Sequence, residues 1–150
     1  MMNYKINKVE RSEFQNSSLQ NIFSNDENST CFAFLSFDNI KFKVNWQSDL
    51  IEPSVIDIGS ELIAVGIDLS FALINRTSGQ ITYKVDLDYF FVESFVLNND
   101  VLVITELGVL KIDLNNFYSR YYALPDSYHE YEINNGSIEI TCENGDVVVI

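Results

Sequence analysis

The chain has 150 residues, and its 47% hydrophobic content with 11 Phe and 8 Tyr is too apolar and too aromatic for a disordered polymer. That length suffices to bury about 70% of the unfolded surface in one core, so a single domain over 1–150 is expected, with an irregular N-terminal segment over 1–30 and repeated β-meanders over 31–150. Nine basic residues against 22 acidic ones give a net charge of −13, a field that repels nucleic acid and anionic membranes and calls for a cationic partner. Met1 to Lys8 lack the apolar stretch of a secretion signal, and no later run approaches the ~18 apolar residues of a membrane helix, so a cytoplasmic location is expected.

Tyr4, Ile6 and Val9 hint at a first strand. Ser12-Glu13-Phe14-Gln15 has the form of a capping box, which places a short helix from there toward Phe23. Ser17, Ser18 and Asn21 are poor helix formers and weigh against its length. Ser24 to Thr30 reads as a polar loop.

From Cys31 onward the pattern becomes short β-type runs separated by turn residues. Ile40, Phe42 and Val44 alternate with Lys41, Lys43 and Asn45, and Ile81, Tyr83 and Val85 alternate with Thr82 and Lys84, the period of strands with one wet face. Leu62 to Val65 and Val101 to Ile104 are apolar throughout, as strands covered on both faces are. Cys31 and Cys142 fall in such runs and read as buried, unbridged thiols.

The runs repeat. Val55 to Ile58, Leu62 to Ile67, Phe71 to Ile74 and Gln80 to Val85 form a four-strand unit, and Phe91 to Leu97, Val101 to Thr105, Val109 to Leu114 and Phe117 to Leu124 follow in the same order about 38 residues later. A third copy supplies Tyr131 to Ile133, Ser137 to Cys142 and Asp146 to Ile150, and a hairpin of Phe32 to Phe37 and Ile40 to Val44 reads as an earlier partial copy.

This period, with four short strands per unit and a Thr77-Ser78-Gly79 turn before an outer strand, resembles the blades of a β-propeller, although no Gly-His or Trp-Asp dipeptide is present. The resemblance implies an all-β fold of blade-like four-stranded antiparallel meanders forming an open half-propeller, or a dimer that completes the ring. An irregular β-sandwich is the alternative.

Little in the chain carries chemistry. His129 is the only histidine, which removes multi-histidine metal sites, and no phosphate loop, nucleophile elbow or calcium loop is present. Asp86 and Asp88 form a short Asp-x-Asp with no second carboxylate cluster to work with. No enzyme activity, metal or cofactor is expected.

The informative feature is where the acidic residues fall. Successive turns of an antiparallel meander alternate between the two ends of a sheet. One end therefore collects Asp68, Asp86, Asp88, Tyr89, Glu106, Asp126, Tyr128, Glu130 and Glu143, while the other collects mostly Asn, Ser and Gly. Tyr89 and Tyr128 lie among the carboxylates as candidate interface anchors; Tyr89, Tyr121, Tyr122 and Tyr131 have an alternative place in the core.

A small acidic β-protein with an anionic aromatic face is similar in kind to the immunity proteins of bacterial toxin–immunity systems, including contact-dependent growth inhibition. The resemblance implies a cationic toxin domain, in particular a nuclease, as partner, blocked by carboxylates at Asp86, Asp88, Asp126 and Glu130. A non-catalytic propeller-like scaffold, or a subunit of a larger assembly, is the competing expectation.

Overall fold

The computed structural model describes residues 3–24 and 27–150. The expected loop over Ser24 to Thr30 therefore lies partly outside the described residues, at Asn25 and Asp26, as do Met1 and Met2. The fold is all-β, with four separate antiparallel sheets of three or four strands, blade-like meanders none of which closes into a barrel. In every sheet the hydrogen-bonded neighbours are consecutive in sequence. A Greek-key sandwich would instead pass strands from one sheet to the other.

The chain divides into two compact units, the first ending at Asp86 and the second spanning Leu87–Ile150. In the first unit, β1 (Tyr4–Lys8), β2 (Cys31–Phe37) and β3 (Ile40–Trp46) form one sheet. β4 (Ser54–Ile58), β5 (Leu62–Ile67), β6 (Ser70–Asn75) and β7 (Ile81–Asp86) form the next. The two share one core in which Leu35, Phe37, Phe42 and Val44 meet Ile63, Val65, Ala72 and Ile74. Fully burying each of the larger side chains stabilises the unit by about 1.5–3 kcal/mol before entropic costs.

The described residues before Cys31 are more regular than their sequence suggests. β1 pairs along its length with β2, from Tyr4 opposite Phe37 to Lys8 opposite Ala33. The helix α1 (Arg11–Asn16) starts after Glu10, not after Ser12, and no side chain caps it. It also stops well short of Phe23. The Ser17 hydroxyl accepts a bond from the Leu19 amide at 3.1 Å, a local alternative to continued helix. Lys43 of β3 serves the C-terminal end instead, donating from Nζ to the carbonyls of Phe14 and Ser17 at 3.1 Å each. Ile22 and Phe23 then enter the core, and Asn21 bridges Lys43 alongside β3.

In the second unit, β8 (Phe91–Leu97), β9 (Asp100–Thr105), β10 (Gly108–Asp113) and β11 (Ser119–Ala123) form a four-stranded sheet. β12 (Tyr128–Asn134), β13 (Ser137–Cys142) and β14 (Val147–Val149) form a three-stranded one. Leu102, Ile104 and Val109 of the first sheet pack with Ile138, Ile140 and Cys142 of the second. Both cysteines are free thiols. Cys142 is buried, but Cys31 is only half-buried because it opens β2, where its sulfur lies 3.8 Å from the Thr30 hydroxyl.

Candidate functional site: an acidic rim on the second unit

Charge is unevenly divided between the units. The second carries eleven carboxylates against Lys111 and Arg120, a net of −9 out of the chain's −13. Much of it lies at one end of the two sheets.

Backbone bonds hold that end together. The Glu106 amide donates to the Phe90 carbonyl at 3.0 Å, the Tyr128 amide to the Glu106 carbonyl at 2.8 Å, and the Glu143 amide to the Ser127 carbonyl at 2.7 Å. The turn after β9, the loop before β8, the β11–β12 connection and the turn after β13 thus form one continuous rim. Asp126 fastens it further by accepting the Asn144 amide at 2.9 Å. At the opposite end Asn98 donates to the Gly136 carbonyl at 3.2 Å, joining the two neutral turns. Within this unit the alternation of turns therefore holds for Asp88, Tyr89, Glu106, Asp126 and Glu143, with Tyr128 beside them at the start of β12, whereas Glu130 lies inside β12, opposite Thr141.

Asp88, Glu106 and Glu130 are exposed and Asp126 is half-buried. Tyr89 is 39% exposed and its neighbour Phe90 48%, so the rim presents apolar area as well as charge. Tyr121 is near Asp88 and Tyr89; burial and then these two neighbours raise its pKa above the ordinary phenol value. Its ring lies directly over Gly108, where a Cβ would collide with it, and its hydroxyl donates to the Leu107 carbonyl at 3.3 Å. Only glycine at 108 leaves room for this aromatic cover.

A second aromatic–carboxylate cluster lies beside the rim. Tyr128 and Tyr131 both have raised pKa values, first because burial disfavours the phenolate and then because Glu93 is close. Tyr131 donates to Glu93 at 3.5 Å. The geometry behind this cluster is a pair of irregularities in the edge strands: register slips between Phe91 and Glu93 in β8 and between Tyr128 and Glu130 in β12. The bulged residue in β12 is His129, exposed and 3.5 Å from Glu143. Bulges re-aim the side chains beside them.

Glu93 is not among the residues that the alternation of turns assigns to the acidic end. A signal for it exists, since both edge strands open with an aromatic residue, one intervening residue and a glutamate, at Phe91-Val92-Glu93 and Tyr128-His129-Glu130.

Asp68 and Asp86 belong to the first unit. Asp86 is exposed at the end of β7, opposite Ser70. Asp68 is not a surface charge. It is buried at the β5–β6 turn with a φ of 50°, and its Oδ2 accepts the amides of Gln47 and Ser48 at 2.9 and 3.0 Å. It ties the end of β3 to the next sheet, and an aspartate in a tight turn is read as exposed only because sequence does not reveal which neighbouring amides need an acceptor.

Among the described residues no group of His, Cys, Asp and Glu side chains is arranged to hold a metal ion, and no helix is long and apolar enough to cross a membrane. No protein-family model and no curated protein matches this chain.

Proposed function

We propose that this protein is an immunity protein of the cytoplasm, which binds a cognate basic toxin domain, a nuclease, and occludes its active site with the acidic rim of the second unit. The observation that carries this reading is the continuity of the rim: Asp88, Glu106, Asp126 and Glu143 follow one another along bonded turns, with Glu130 in the adjoining strand β12 and no Lys or Arg in the turns themselves. A nuclease active site is built to receive successive phosphates, and a row of carboxylates on a rigid β frame offers it a competing anion. Tyr89, Phe90 and Tyr128 supply the apolar contact that slows dissociation. Inhibition is then steric, with long-range attraction setting the association rate and aromatic burial the lifetime.

The test is affinity capture on the tagged chain in its cells of origin, mass spectrometry of what is retained, and titration of the retained protein's nuclease activity. The expected result is a basic domain silenced at one equivalent. Capture of a multi-subunit assembly whose activity is indifferent to the chain would overturn the inhibitor reading in favour of a scaffold or subunit.

A further inference from the structure

The third strand of each sheet has an outer edge, and in three of the four sheets the chain itself covers it. β6 is covered by β7 and β10 by β11. β3 is covered by the segment around Asn21, where the Lys43 amide donates to the Gln20 carbonyl at 2.9 Å and the Ile22 amide to the Lys43 carbonyl at 3.0 Å. β14 is the exception, since no described strand pairs with its outer edge.

The polar groups on that edge can be assigned. Ile138 and Ile150 exchange both backbone bonds, at 3.0 and 2.8 Å, and the Cys142 amide donates to the Asp146 carbonyl at 2.8 Å. Residues facing a neighbouring strand alternate in an antiparallel ladder. Asp146, Val148 and Ile150 therefore face β13, and the N–H and C=O groups of Val147 and Val149 face outward. These two residues are 53% and 66% exposed.

Edge strands are usually protected by charge, bulges or proline. β1 carries Lys5 and Lys8, β7 Lys84 and β11 Arg120; β4 begins directly after Pro53 and carries Asp57, while β8 and β12 are bulged. Val147-Val148-Val149 itself carries no charge, bulge or proline, and the one charge beside it, Asp146, has its backbone turned to β13.

We infer that the outer edge of β14 is a strand-addition site that takes an extended, cation-bearing segment of a protein partner as the fourth strand of its sheet. Charge selects this occupant over a second copy of the chain. The unit holds a net of −9, and Glu139 stands directly opposite Val149 with Glu132 beyond it on the same face. The strands that fill the equivalent place in the complete sheets, β7 and β11, each bring one cation, Lys84 or Arg120. The inference is independent of the acidic rim, because it concerns a different surface of the same unit.

The probe is a blocked synthetic peptide with the sequence of residues 116–125, which contains the β11 strand and Arg120. Amide exchange followed by NMR on the full chain is expected to show new protection at Val147 and Val149, with Val148 unchanged. Val149→Pro deletes an outward donor without touching the β13 ladder and should weaken the peptide about tenfold, the worth of one hydrogen bond. Should that variant fold poorly, the doubly substituted V147K/V149K, which alters only exposed side chains, should repel the peptide while preserving the spectrum. A peptide carrying R120E should bind more weakly than the parent. Absence of protection at millimolar peptide, or affinity indifferent to these chain variants, overturns the site. Equal binding of the R120E peptide overturns the cationic occupant, and protection of both valines in a concentration-dependent dimer without peptide assigns the edge to a second copy instead.

Discussion

The ring of Phe95 in β8 stacks on that of Tyr131 in β12, with centroids 4.8 Å apart and planes 14° from parallel. These strands belong to different sheets of the second unit, so the stack is a bond between sheets as well as between rings. The Tyr131 hydroxyl extends the same link to Glu93. Tyr131→Ala should lower unfolding free energy by about 2–3 kcal/mol through lost burial and stacking. Tyr131→Phe, which keeps the ring, should cost under about 1 kcal/mol. A double-mutant cycle with Phe95→Ala by denaturant unfolding should return a coupling of about 0.5–1.5 kcal/mol.

Asp68, a buried acceptor, is expected to act on stability and not on binding. Its Oδ2 accepts two amides, and its other carboxylate oxygen is buried with no hydrogen-bond partner among the described residues, in a backbone region that Asn and Asp tolerate best. Asp68→Ala should therefore cost about 2–3 kcal/mol, combining two orphaned donors with backbone strain. Asp68→Asn retains an acceptor and the backbone preference, and should cost about 1 kcal/mol. Both variants, compared by thermal unfolding and then by partner association, should associate at the rate of the parent chain.

The rim carboxylates should show the reverse behaviour. Replacing Asp88, Asp126 and Glu130 with their amides should lower the rate of association with the captured partner and flatten its dependence on salt. Truncating Tyr89 or Tyr128 should chiefly speed dissociation, at a cost of ~2 kcal/mol or more at a hot spot. Stopped-flow series at several ionic strengths separate the two. Association indifferent to salt and to the charge removals would leave the rim as a solubilising surface.

The phenols define a stability limit at high pH. Tyr121, Tyr128 and Tyr131 are raised above their ordinary value of 10.0 in the folded chain, so the native state holds their protons more tightly than the unfolded state does. Stability from these groups is fully present below pH ~10 and falls as pH rises from there through the folded pKa values. Glu93→Gln removes a like charge near Tyr128 and Tyr131, so their titration should move to lower pH, read by phenolate absorbance, while that of Tyr121 stays in place.

The strands from Cys31 onward were legible because their signals are local. Alternation at Ile40 to Val44 and unbroken apolar runs at Leu62 to Val65 and Val101 to Ile104 report which faces are covered, and turn residues mark the ends. Part of the rim followed from the same signals, since the parity of turns along a meander needs no tertiary information. The region before residue 30 was less legible because its order is borrowed: β1 depends on β2, α1 on Lys43, and Ile22 on a core formed by distant strands.

Sequence alone determined the all-β class, the repeated meander and the acidic excess, because hydrophobic period, turn chemistry and charge are properties of residues close together along the chain. Only the tertiary structure decided that Asp68 is a buried acceptor while Asp88 is an exposed charge, that Glu93 lies beside Tyr128 and Tyr131, and that no described strand pairs with the outer edge of β14. Each of these depends on which amides, rings and strands arrive from elsewhere, and a carboxylate or a valine carries no mark of its future neighbours until the chain has folded around it.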